Sequence, residues 1–353
     1  MNTKNIALAI LYQAQQPPAR NGIIKPMKPT GYADSGADIA YALLQQNIPI
    51  ITPKENPGLQ QDTDWVFPDT TEGIQLALDK GANTLWLNTI LYNGHPVEQF
   101  FHKGIYFVGQ LPYITDRFDD KWITNRLLHE AKLPIPRAVM VQKDSSFVVQ
   151  LPFDFPVVVK PILGRGSEGV TVVKNDAALK DVLTKAFRQN KYGDTLYVEE
   201  FLPGEELTVA VMPPGKYIIA GEEIVHNEYW YLPPVKRFNH VDGIAPYNGT
   251  VAVVDNSCVL DDAVAHSPAI SKLCHQCVIA AKLVEARAPI RVDCRSDFMG
   301  SFYLFDLNMK PNMTGASRPH RGDQDSLIML AARKAGWTYA DLLLNILHQR
   351  WQA

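Results

Sequence analysis

From residue 5 to about 110 the chain alternates short apolar runs with stretches of helical period, and no other feature constrains its fold as much. "NIALAIL" precedes "GADIAYALLQQ", "IPIITP" precedes "TEGIQLALDKG", and "TLWLNTI" and "GIYFVG" follow. Strands separated by single helical segments predict βαβ units, and hence a parallel sheet with helices on both faces. Two irregular proline-bearing stretches, "QAQQPPARNGIIKPMKPTGYADS" and "KENPGLQQDTDWVFPDT", interrupt this pattern. Loops of that length in a compact unit are usually functional. The first leaves the carboxyl end of the opening strand, where open α/β sheets bind their ligands.

Beyond residue 115 the pattern changes to α+β. A helix is predicted from Asp119 to Ala131, stopped by "LPIP". "VVVKP", a glycine-rich turn, "VTVVKN", "DAALKDVLTKAFRQN" and "TLYVEEFL" then read as strand, turn, strand, helix, strand. Strand-rich text from "EELTVAVM" leads to a helix near 269–286 and to the strands "IRVDCRSD" and "SFYLFDLNMK", joined by a turn at Asp297 to Gly300. A last helix spans Tyr339 to His348. The expected division is an N-terminal α/β unit over 1–115, a small central unit over 116–203 and a larger C-terminal unit over 204–353.

The 353 residues carry a formal net charge of -3 without a basic block, which excludes an electrostatic footprint for nucleic acid or a polybasic membrane patch. Small-molecule partners are expected. The first apolar run is too short for a signal-peptide core or a membrane span, so a cytoplasmic protein is expected. All four cysteines lie at or after Cys258. "CHQC" at Cys274 to Cys277 lacks a second ligand pair at zinc spacing and sits in a segment of helical period, so no metal is assigned to it.

Three segments carry chemistry. In "VVVKPILGRGSEGV", Lys160 ends a β-branched run, where an unpaired ammonium is costly to desolvate and calls for an anionic partner. Gly164, Gly166 and Gly169 let backbone amides approach a phosphate. The stretch is neither a Walker loop nor a dinucleotide turn, and taken alone such a glycine turn is more often structural than functional. "YVEEFLPGEELTV" places Glu199, Glu200, Glu205 and Glu206 around a turn. Strand alternation turns Glu199 and Glu200 to opposite sides, so at least one faces a cleft or core unless all four are simply solvated. The third segment, "RVDCRSDFMGSFYLFDLNMKPNMTGAS", puts Asp293 and Asp306 on neighbouring strands with Asn308 facing the same way as Asp306. That oxygen set suits magnesium, and Arg291 sets a guanidinium beside it. An ordinary Arg/Asp/Asp ion network is the alternative.

Lys121, "VVVKP" with its glycine loop, "VEEFLPGEELTV", "RVD" and "LFDLNMKPNMT" together resemble the ATP-grasp carboxylate-amine ligases, most closely the D-alanine–D-alanine ligases, over about residues 116–350. The resemblance implies an ATP-grasp fold and acyl-phosphate chemistry with ATP and magnesium, for which manganese can substitute. It implies phosphate contacts from Lys121, Lys160 and the loop residues Gly166 and Ser167, adenine contacts from Glu199, Phe201 and Leu202, and ribose contacts from Glu206. Asp293, Asp306 and Asn308 would hold the metal, Arg291 would stabilise the transferred phosphoryl group, and Ser317 would receive the second substrate's carboxylate. A homodimer is also implied. The chain departs from the family in both N-terminal substrate loops, in Asp306 where those ligases usually carry Glu, and in Asn312 where they carry Gly.

Further substrate contacts are expected from "TGASRPHRGDQDSL", where Arg318, His320 and Arg321 offer cationic donors to a carboxylate. "YWYLPPVKRFNHVDGIAPYNG" reads as a long loop whose Lys236, Arg237 and His240 close over ATP, or else as aromatic packing with a mobile tip. A ligase joining a carboxylate to an amine is the leading expectation. A small-molecule kinase or carboxylase of the same fold, and a nucleotide-binding module without turnover, are its rivals.

Overall fold

The computed structural model describes residues 6–144, 150–246 and 251–353. Strands Leu8–Tyr12, Phe67–Pro68, Thr84–Asn88 and Tyr106–Val108 form the parallel first sheet, in spatial order second, first, third, fourth. Alternate residues of the first strand face opposite ways, as strand geometry requires. Leu8 and Ile10 pack with Ile39 and Leu43 of helix Ala33–Leu44, while Ala9 and Leu11 pack with Ile74 and Ala77 of helix Thr71–Asp79. "IPIITP", expected as a strand, makes only the isolated bridge of Ile50 with Leu8. Pro49 and Pro53 have no N–H to continue a ladder.

Helix Tyr339–His348 returns to this sheet. Its Leu342, Leu343 and Ile346 share a core with Ile39 and Leu43. Trp351 exchanges backbone hydrogen bonds of 2.8 and 2.9 Å with Phe107 and so covers the sheet's outer edge.

A small antiparallel sheet follows, in order Ala138–Gln142, Thr195–Glu200, Val157–Pro161, Thr171–Val173. Helix Asp176–Gln189 backs it, burying Leu179, Leu183 and Phe187 against Val157, Val159 and Val198. Lys160, Tyr197 and Glu199 occupy the opposite face by alternation. The helix expected from Asp119 to Ala131 is present as Lys121–Glu130, and a second, unexpected helix, Pro112–Phe118, precedes it. Asp120 separates them by accepting from the amides of Trp122 (2.9 Å) and Ile123 (3.0 Å), an N-cap that ends continuity with the preceding turn.

The large sheet runs Ser257–Val259, Val235–Arg237, Glu206–Met212, Ile290–Ser296, Phe302–Asn308, with Trp230–Tyr231 also paired to Glu206–Met212. Leu207, Val209, Ile290 and Val292 pack on helix Pro268–Leu283, in which Cys274 and Cys277 are buried core residues. The stretch expected as one long lid loop is therefore corrected. Its first half supplies two strands of this sheet because Val235 finds a place in the core, and its residues 247–249 lie outside the described residues. Helix Leu327–Lys334, capped by Ser326, was not anticipated.

Candidate active site

The polar faces of the small and large sheets meet along a seam. From the small sheet, the Lys160 ammonium bonds Glu199 at 2.6 Å and reaches across to the carbonyl of Phe305 at 3.1 Å. From the head of helix Lys121–Glu130, Lys121 pairs with Asp306. Each expected phosphate lysine, Lys160 buried and Lys121 half-buried, thus stands beside a carboxylate, which answers the desolvation problem that Lys160 raised in the sequence.

Asp293 and Asp306 stand opposite each other in the ladder between Ile290–Ser296 and Phe302–Asn308, and Arg291 stands opposite Asn308. The Arg291 guanidinium grips Asp293 with two hydrogen bonds of 2.9 Å. Thr208 donates to the same carboxylate at 2.7 Å and the Asn308 amide nitrogen at 3.1 Å. Thr208 was missed in the sequence, although its period-2 alternation with buried Leu207 and Val209 marks it as facing the polar side.

Electrostatics hold Asp306 ionised. Burial works against its charge, but Lys121, Lys160 and Arg291 outweigh burial and lower its pKa. Burial likewise opposes the charges of Lys121 and Arg291, and pairing with Asp306 and Asp293 respectively raises both. Glu199 shows the opposite balance. Burial raises its pKa despite Lys160, and its Oε2 is a buried acceptor without a partner.

The donor chemistry fits a hard divalent cation. Two facing carboxylates and the free amide oxygen of Asn308 leave coordination positions for water and phosphate, which is how magnesium is commonly bound. Among the described residues no group of three His, Cys, Asp or Glu converges on one point, so the set is not a closed carboxylate cage.

The glycine loop follows directly on strand Val157–Pro161, which carries Lys160. Gly166, Ser167 and Gly169 have φ of 53°, 61° and 77°. A side chain at Gly169 would meet the Tyr192 ring at 2.6 Å. Ser167 donates to the Ala245 carbonyl at 3.2 Å and Arg165 to that of Pro26 at 3.1 Å, linking the loop to both flanks. Glu206 bonds His240 at 2.8 Å and lies 3.7 Å from Arg295, whose guanidinium also sits 5.1 Å from the Phe201 ring. Leu202 is buried beside them, and Glu200 turns away to pair with Arg137.

Arg237 shares the polar face with Glu206, its register partner; its NH2 bonds the Pro246 carbonyl at 2.8 Å and its Nε is a buried donor without a partner. Lys236 faces the other way and pairs with Glu205 at 2.7 Å, so it does not close over the seam. Arg318 also requires correction as a substrate ligand. It is fully buried, with Nε on Asp38 (3.0 Å), NH1 on Asp62 (2.7 Å) and the Leu59 carbonyl (3.0 Å), and NH2 on the Asp34 carbonyl (3.1 Å). Arg321 grips the same Asp38 at 2.8 Å, and the Ser317 hydroxyl donates to it at 3.0 Å. These donors fasten the segment after strand Phe302–Asn308 to helix Ala33–Leu44. His320 is exposed on the turn Pro319–Arg321.

Next to the seam lies a largely apolar cleft enclosing about 490 Å³ of empty space, its open mouth included, between the carboxyl ends of the first sheet and the segment after Asn308. Trp86, Val108, Met309 and Met313 line it, with Asn88 and Lys310 among its polar residues. Burial, reinforced by the nearby Lys28 and Lys25 and opposed by Asp34, lowers the pKa of Lys310 to about 7.

A clamp of two antiparallel sheets behind a parallel one defines the ATP-grasp class, and solved structures share it. D-alanine–D-alanine ligase from Bacillus anthracis complexed with ATP aligns with a TM-score of 0.62 at 17% identity, covering 98% of this chain and 96% of the other. The VanG D-Ala:D-Ser ligase from Enterococcus faecalis aligns at 0.65 with 14% identity, covering 98% and 99%. The chain belongs to the D-alanine–D-alanine ligase family, since the family model described as D-ala D-ala ligase C-terminus matches residues 127–348. Among curated proteins, D-alanine–D-alanine ligase B of Chromobacterium violaceum is 30% identical over 233 residues, 65% of this chain and 66% of that protein. The D-alanine–D-alanine ligase of Laribacter hongkongensis is 28% identical over 229 residues, 65% of each. The alignments thus span just under two thirds of these relatives' own lengths.

Proposed function

We propose that the protein is an ATP-dependent, ADP-forming ligase that joins a small carboxylic acid to an amino acid or other amine. The observation that carries this reading is the convergence of Lys121, Lys160, Arg291, Asp293, Asp306 and Asn308 on one seam between two sheets. A site that moves a phosphoryl group chiefly needs to position reactants and neutralise charge.

In this reading Lys121, Lys160 and the amides of Gly166 and Ser167 hold the ATP phosphates. Glu199, Phe201 and Leu202 border the adenine and Glu206 the ribose. Asp293, Asp306 and Asn308 hold magnesium or manganese, which supplies charge neutralisation on the phosphates when bound. A substrate carboxylate oxygen attacks the γ-phosphorus and ADP leaves. The amine then attacks the acyl carbon, inorganic phosphate leaves, and the amine nitrogen gives up a proton. Arg291 stabilises the transferred group, and Ser317 receives the amine substrate's carboxylate by turning its one hydroxyl proton from Asp38 to the substrate. Arg237 is retained as a substrate-side cation because its Nε is unpartnered. The same proposal includes a cytoplasmic location and a homodimer, which sedimentation would measure. Among the described residues no helix is long and apolar enough to cross a membrane.

ADP and phosphate release against a panel of carboxylates and amines, with mass detection of the product, tests this proposal. Substrate-dependent ADP with a condensed product is expected, and phosphorylated product alone would favour the kinase reading. No substrate-dependent ADP would reject both. Lys160→Ala is expected to weaken ATP binding by about tenfold or more, the loss of a charge-assisted hydrogen bond. Unchanged affinity and turnover in that variant would return the glycine stretch to a plain turn.

A further inference from the structure

Lys310 stands apart from the other cations around the cleft. Lys28 is bound by both oxygens of Asp34 at 3.1 Å, Lys25 pairs with Asp119, and Arg321 pairs with Asp38. Lys310 has no carboxylate within ion-pair reach among the described residues; its ammonium rests 3.6 Å from the centre of the Tyr32 ring, which Lys28 approaches at 5.3 Å. Three ammonium groups therefore share this wall with two carboxylates that are already engaged. The imbalance favours an anion.

The wall is rigidly built. Tyr32 has φ 67° and ψ 17°, a left-handed conformation uncommon for a bulky residue and characteristic of functional sites. Asn88 fixes it by donating to its carbonyl at 2.9 Å. The preceding Gly31 is locked against Gln13, whose carbonyl oxygen would lie 1.8 Å from any added Cβ. Lys310 lies in the bend that directly follows the strand's end at Asn308. Leu307 and Met309 are 7% and 1% exposed on the core side, while Asp306, Asn308 and Lys310 are half-buried on the other.

We propose that Lys310, flanked by Lys28 and backed by Tyr32, receives a second anionic group, carboxylate or phosphate, carried by the substrate whose other carboxylate is activated. Asn308 and Lys310 are two positions apart, so their Cα atoms are separated by at most about 7 Å. That spacing lets a dicarboxylic or phosphorylated amino acid reach from Asn308 to Lys310. The adjoining cleft accommodates its carbon chain. This inference rests on the ligase reading for the identity of the reacting group, but its own content is a binding preference.

The test is calorimetric binding, without turnover, of alanine, asparagine, aspartate and phosphoserine in both enantiomers, to the full chain saturated with a non-hydrolysable ATP analogue and magnesium. Aspartate or phosphoserine is expected to bind about tenfold or more tightly than neutral asparagine, the scale of a charge-assisted hydrogen bond. Which of the two binds better identifies the anion. Lys310→Ala and Lys310→Gln are each expected to erase the preference while leaving the affinity for the ATP analogue unchanged. Equal binding of aspartate, phosphoserine and asparagine, no binding of any anionic probe at millimolar concentration, or retention of the preference in a folded variant would overturn the proposal. So would an equal loss of analogue affinity in both variants, which would place Lys310 on the nucleotide. Absence of ADP release in the turnover panel would instead reject the ligase reading and leave the binding preference standing.

Discussion

Arg291→Ala is expected to lower turnover by about 10²- to 10³-fold, the usual effect of removing a preorganised donor from a developing negative charge, while ATP affinity changes by only a few fold. The separation follows from geometry. Arg291 donates two hydrogen bonds to Asp293, and that carboxylate keeps Thr208 and Asn308 when the guanidinium is removed. Strand Ile290–Ser296 should therefore remain folded and the protein able to bind nucleotide. Arg291→Lys retains the charge without the planar fork, so only partial recovery is expected. Rapid-quench measurement of ADP formation beside equilibrium nucleotide binding distinguishes the two effects. Wild-type turnover in Arg291→Ala would remove Arg291 from the chemistry.

The largest effect on stability is expected at Asp38, whose carboxylate receives Ser317, Arg318 and Arg321 and is fully buried. Asp38→Ala leaves the fully buried guanidinium of Arg318 with Asp62 as its remaining carboxylate partner, and is expected to cost about 3 kcal/mol, the lower end for a broken buried pair, in denaturant unfolding. Burial raises the pKa of Asp38 in spite of Arg321 and Arg318, so the network has not recovered its full desolvation cost. Hence the double variant Asp38→Leu, Arg318→Met is expected to lose less than Asp38→Ala alone, because apolar residues of similar volume often replace buried ion pairs without loss. A double variant less stable than Asp38→Ala would show that the network contributes net stability.

The same network marks the limit of what the sequence disclosed. Strand and helix alternation in the first 110 residues was legible because buried parallel strands and their helices carry local periodic patterns. The facing of Asp293 and Asp306 was legible because a short turn joins their strands, so period-2 geometry alone brings them together. Arg318 looked like a substrate ligand because its partner Asp38 lies 280 positions away, and no local pattern distinguishes a buried arginine from an exposed one. Lys236 and Arg237 appeared to lie in a loop because Pro233 and Pro234 precede them. Their strand is specified instead by pairing with Glu206–Met212, a tertiary preference that overrides local propensity. Lys310 went unremarked because an unpaired cation is recognised only after the positions of all neighbouring carboxylates are known.

The pairing of Phe107 with Trp351 has a bearing on synthesis. The indole of Trp351 also bonds the Gly109 carbonyl across 242 positions of chain. At about 5–20 residues per second, an emerging chain waits about 10–50 s between making strand Tyr106–Val108 and making the residue that covers it. Throughout that interval one rim of the first sheet presents unpaired backbone groups, the usual template for misassociation between nascent chains. The helix that completes the core around Ile39 and Leu43 arrives equally late. The first hundred residues are thus made early and secured last, and a holding chaperone would have the most to protect in that window.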